Sequence, residues 1–194
     1  MTQASPNRIL VREETSRLYT IRLSRIIGEA DDFEEEFQVL AAAGPQDVVR
    51  ILINSDGGNV ATALLLCKAI RECEAHTVAY IGFMCASSAT AIALACSEWE
   101  MDDNSSFMIH TATYGVYGKA QELKAQQKHM DKMINRFVEN TYAGFLTAEE
   151  IAAVLDGKDY WMEGDELAQR LTAYADYRYA LEQAEAVDTQ AEPE

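Results

Sequence analysis

Hydrophobic residues recur along this chain with two periods, and each switch of period marks an element. Leu18-Tyr19-Thr20-Ile21-Arg22-Leu23 alternates and predicts a strand. Gly28 marks a turn. Phe33, Phe37, Leu40 and Ala41 then recur at helical spacing behind a capping pair, Asp31-Asp32, and Gly44-Pro45 ends that helix. Val48-Val49-Arg50-Ile51-Leu52-Ile53 is a short β-branched run, which predicts a buried strand. A glycine turn, Asn54-Ser55-Asp56-Gly57-Gly58-Asn59, leads into a helix from Val60 to Cys73, and Val78-Ala79-Tyr80-Ile81-Gly82-Phe83 is the next strand. Ser87 to Cys96 is a helix of small residues that has a place only in a core, and Trp99-Glu100-Met101 and Ser106 to Ile109 are further short strands. This alternation predicts an α/β fold built from repeated βαβ steps.

Past His110 the pattern changes. Thr111-Ala112-Thr113-Tyr114-Gly115-Val116-Tyr117-Gly118 is glycine-spaced and β-prone, and a long helix follows from Lys119 to Tyr142. Leu123, Met130 and Phe137, with Met133 and Ile134 between them, form a narrow apolar stripe on an otherwise polar helix. Such a stripe suits packing on its own domain and suits a helix–helix interface equally well. Thr147 and Glu150 have the spacing of a capping box at the next helix start. Gly157-Lys158 turns into Asp159, and Gly164-Asp165 opens the last helix. Residues 1–17 are polar and read as a flexible arm, residues 18–181 as one domain, and residues 182–194 as an acidic, disordered tail.

Composition narrows the function classes. A formal net charge of −16 over 194 residues argues against binding a nucleic acid backbone, which needs a basic surface. The charge serves solubility or lines a functional surface such as a chamber. No apolar run reaches the roughly 18 residues of a membrane span, and the start lacks the layout of a secretory signal, so a cytoplasmic location is expected. Cys67, Cys73, Cys85 and Cys96 form no Cys-x-x-Cys pair and have no histidine at metal-ligand spacing, which predicts reduced thiols and no metal. Cys85, two residues before Ser87, is either a core residue or a thiol lining the site.

Three residues carry the candidate chemistry. Ser87 opens the small-residue helix, His110 ends the run Phe107-Met108-Ile109, and Asp159 stands before Tyr160-Trp161-Met162. A serine hydroxyl needs a base within hydrogen-bond reach, and that base needs an acceptor to fix its tautomer. The Gly57-Gly58 turn offers backbone N–H groups with no Cβ in the way, as an oxyanion site does and as a plain strand-to-helix turn does. Each feature alone has an ordinary structural reading: a core histidine, a capping aspartate, a packed serine.

In order and layout together they resemble the proteolytic subunit of the Clp protease, in the Clp/crotonase superfamily. The resemblance runs from about Leu18 to Leu171, through Ile53-Asn54-Ser55-Asp56-Gly57-Gly58, residues 82–95, Asn104-Ser105-Ser106-Phe107-Met108-Ile109-His110, Asp159-Tyr160-Trp161 and the stretch before the long helix. It implies a spiral of βαβ units with a protruding handle, residues 111–142. It implies a serine endopeptidase acting on unfolded polypeptides, with Ser87 as nucleophile, His110 as base and Asp159 orienting it. The Gly58 and Ser88 N–H groups would form the oxyanion hole, and Gly115, Val116, Tyr117 and Gly118 would receive substrate as an added strand. It also implies stacked seven-membered rings of identical chains, a AAA+ unfoldase partner and no cofactor.

Some positions depart from the family pattern. Asp56 replaces the usual proline and brings a carboxylate near the oxyanion site, and one extra residue separates Gly82 from Ser87, which makes Ser88 a rival nucleophile. Lys158 stands where the family has an arginine used between rings, and Gln169-Arg170-Leu171-Thr172-Ala173 replaces its closing strand. These departures mark a divergent member, and a phage origin is one reading of them. A catalytically silent ring subunit and a phage prohead-maturation protease on the same fold remain as alternatives. A crotonase-type acyl-CoA enzyme has no use for the complete triad.

Overall fold

Val49, Ile51, Ile53 and Ser55 are buried and the residues between them are not, so strand β2 (Val48–Ser55) turns one face to the core. The computed structural model describes residues 15–115 and 117–191, and β2 lies inside its sheet. β1 (Leu18–Leu23) and β3 (His76–Ala86) flank β2, both parallel to it, with Leu18 and His76 each opposite Val48. β4 (Glu98–Met101) pairs with the first half of β3 and β5 (Ser106–Ile109) with its end. β6 (Tyr160–Glu163) closes the sheet antiparallel to β5. The expected α/β spiral of βαβ steps is the observed architecture.

A bulge explains why β3 serves two partners. Ile53 faces Ile81, but the next paired residues are Ser55 and Cys85. Gly82, Phe83 and Met84 therefore oppose Asn54 alone, and the Asn54 side chain accepts the Met84 N–H at 3.0 Å.

One face of the sheet is covered by α1 (Glu34–Ala42), α2 (Val60–Glu72) and α3 (Ser88–Ala95). Every residue of α3 is buried, as its composition requires. The capping expected of Asp31-Asp32 is not observed. Both lie inside a 3-10 turn, Ala30–Phe33, where they add negative charge at a helix start without a capping hydrogen bond. Asn59 caps α2, accepting from the N–H groups of Ala61 and Thr62.

The long helix, α4 (Ala120–Tyr142), divides its stripe. Ile134 and Phe137 pack against the core and Val138, Thr141 and Tyr142 are buried in it, while Leu123 and Met130 lie on the stretch that does not join it. Packing on its own domain thus accounts for the C-terminal end of the stripe alone. α5 (Ala148–Leu155) starts with the expected capping box: Glu150 N–H donates to Thr147 Oγ1 at 3.2 Å and Thr147 N–H to Glu150 Oε2 at 2.9 Å.

Two expectations need correction. Residues 111–115 and 117–118 of the β-prone stretch form no strand, because among the described residues no neighbouring strand lies beside them to complete a ladder. α6 (Gly164–Ala191) continues through residues 182–191, where a disordered tail was expected. Alanine, glutamate and glutamine dominate there, and their helix propensity outweighs the lack of bulky side chains. Most of the expected N-terminal arm, residues 1–14, lies outside the described residues, as do residues 192–194. Among the described residues no helix is long and apolar enough to cross a membrane.

Candidate active site

The end of β3 delivers Ser87. Its N–H donates to Met108 O at 2.8 Å, carrying the β3–β5 ladder one residue past the strand. There the backbone reverses: Ser87 has φ 55° and ψ −130°, the one positive φ outside glycine among the described residues. A strand-to-helix turn of this strained kind lifts a side chain clear of the sheet. The Ser87 hydroxyl lies 2.8 Å from His110 Nε2. His110 comes from the end of β5, the strand that pairs with the end of β3. The sheet register itself brings these two residues together.

Ser88 has the opposite environment. It is 2% exposed, and its hydroxyl donates to Gly58 O at 3.2 Å. Beside it, the glycine turn lies directly against the elbow. A Cβ on Gly57 would sit 2.6 Å from Ala86 O, 2.8 Å from Ser87 Cβ and 2.9 Å from Ser88 N. Gly57 N–H is spent on Ser55 Oγ at 3.1 Å, whereas Gly58 N–H and Ser88 N–H donate to no partner among the described residues. Both therefore remain free to donate to a ligand. Asp56 is exposed and makes no hydrogen bond or ion pair with these groups.

Asp159 stands apart from the pair. Ile109 pairs with Tyr160 in the antiparallel β5–β6 ladder, so continuing the register by one residue sets His110 opposite Asp159. Yet Asp159 is exposed, and no hydrogen bond joins it to His110. The neighbouring Lys158 folds back over Tyr160, its ammonium 4.2 Å from the ring centre. The chain holds the serine–histidine contact formed and the histidine–aspartate contact open.

The segment expected to receive substrate follows His110 in the chain. Gly115, Tyr117 and Gly118 are exposed, and Val116 lies outside the described residues. Tyr114 donates its hydroxyl to Asp131 on α4, which ties the segment to the long helix. Cys85 is a core residue: it is fully buried, and that burial pushes its thiol far up, so it stays protonated. No group of three or more His, Cys, Asp or Glu side chains is gathered as metal ligands among the described residues.

Sequence reasoning missed two residues behind the elbow, Thr90 and Tyr142. They lie 52 positions apart and share a buried hydrogen bond. No motif links them; only the packing of α3 against α4 does.

A family model described as Clp protease matches residues 15–170. An uncharacterised protein of Methanocaldococcus jannaschii is 30% identical over 122 residues, which is 62% of this chain and 42% of that protein. The chain thus spans less than half the length of that relative.

Proposed function

The chain belongs to the Clp protease family, and from that premise we propose that it is a serine endopeptidase cleaving unfolded polypeptide through an acyl-enzyme. The observation that carries this is the 2.8 Å contact of Ser87 Oγ with His110 Nε2 at a strained strand-to-helix turn. As Ser87 Oγ attacks the scissile carbonyl, His110 Nε2 takes its proton and returns it to the leaving amine. The Gly58 and Ser88 N–H groups receive the oxyanion, and the dipole of α3 adds to their effect. Water then enters, His110 takes its proton, and the acyl-enzyme is hydrolysed.

Asp159 completes the triad by a short movement, since the β5–β6 register already sets it opposite His110. Catalytic hydrogen bonds are often open in free enzymes and tighten with substrate or partner. Substrate adds as a strand to the unpaired backbone of Gly115, Tyr117 and Gly118. In this reading identical chains stack as rings around a chamber fed by a AAA+ unfoldase, in the cytoplasm and without cofactor.

Turnover of a short fluorogenic peptide tests the assignment. Ser87→Ala and His110→Ala should each lose at least about ten-thousandfold in kcat. Activity kept in Ser87→Ala and lost in Ser88→Ala would move the nucleophile to Ser88. One specific observation favours a second reading, a silent ring subunit: the open histidine–aspartate contact. That reading predicts an assembled ring that turns over no peptide, alone or with unfoldase.

A further inference from the structure

We propose that Tyr142 and Thr90 form a buried relay that aims the Ser88 N–H, and so set the rate of this enzyme without touching substrate. The inference rests on the endopeptidase reading above and adds positioning residues to it.

The relay starts at the Ser87 carbonyl, which accepts two hydrogen bonds: from Thr90 N–H at 3.0 Å and from Thr90 Oγ1 at 2.6 Å. Thr90 has one hydroxyl proton, and it is spent on that carbonyl. The 2.7 Å contact between Thr90 Oγ1 and the Tyr142 hydroxyl is therefore donated by the tyrosine. Burial pushes the Tyr142 phenol well above its ordinary value, so it keeps the proton it donates. Thr90 is 0% exposed and Tyr142 1%, so water does not replace either partner.

The peptide bond carries the consequence. The Ser87 carbonyl and the Ser88 N–H belong to one planar unit and point in opposite directions. Holding the carbonyl inward with two donors holds the N–H outward, toward the carbonyl under attack. A residue at φ 55° and ψ −130° has no preference of its own for that orientation, so something must fix it. The fixing group stands on α4, whose other end protrudes from the domain. What happens to the long helix is thereby felt at the oxyanion donor.

The test compares Thr90→Val, Tyr142→Phe, the double variant and Thr90→Ser. Each is measured for kcat and KM on a short fluorogenic peptide, per active site titrated with a fluorophosphonate, and for melting temperature. Thr90→Val strands the Tyr142 hydroxyl and lowers the melting temperature. The double variant replaces both partners by apolar groups and recovers most of it. Turnover should not recover: kcat falls about 10- to 100-fold in both, KM stays within about twofold, and Thr90→Ser restores the rate. Tyr142→Phe, which leaves the carbonyl contact, should lose less. A double variant that turns over at the wild-type kcat would overturn the relay while leaving the endopeptidase reading intact. A wild type that the fluorophosphonate does not label overturns both.

Discussion

At the scale of single residues, the site depends on two positions that adopt backbone angles few residues accept. Gly57 has φ +90° and no room for a Cβ against Ala86, Ser87 and Ser88. Gly57→Ala should destabilise the protein by about 2–4 kcal/mol in urea unfolding and cost activity with it, because the elbow must move to admit the methyl. Ser87 carries the matching strain. Spacing from Gly82 leaves Ser87 and Ser88 as rivals in the sequence, and the β3 bulge between Ile53 and Ser55 is visible only in a backbone trace. The open Asp159 contact was equally hidden. Chain order places an aspartate at the right register, and a side-chain orientation decides whether it bonds.

At the scale of elements, α5 is bound to α6 through one cap. Glu150 closes the box with Thr147 and also receives both terminal nitrogens of Arg170, at 3.0 and 2.7 Å. Arg170, first among several causes, holds the Glu150 carboxyl below its ordinary value of 4.5. A carboxylate depressed in the folded state contributes stability that is full above its unfolded value and is lost as pH falls through its folded one. Glu150→Gln should therefore lose about 1–2 kcal/mol near neutral pH. Unfolding midpoints measured from pH 7 downward should converge with the wild type below about pH 4, as the wild type sheds the increment the variant never had. The Thr147–Glu150 box was plain in the sequence because its residues are close together. Arg170 was not, because it lies twenty positions away, beyond a strand. The tail is a local matter instead: low bulk in residues 182–191 suggests disorder, yet their helix propensity carries α6 through them.

At the scale of the molecule, the α/β spiral was legible almost whole, since alternating strand and helix periods admit few topologies. The division of the α4 stripe was not, because a stripe that packs at one end and protrudes at the other reads as a single pattern. On the proposed assembly, Leu123→Asp should leave the helical signal in circular dichroism unchanged and lower the mass found by light scattering. An unchanged mass would remove α4 from the contact. In the proposed function Ser87 is the nucleophile of an endopeptidase. The most direct measurement is to treat the purified protein with a fluorophosphonate and map the adduct by mass spectrometry. One phosphonyl group should be found on Ser87, absent when His110 is replaced by alanine. An assembled protein that carries no adduct, or carries it on Ser88, contradicts that function.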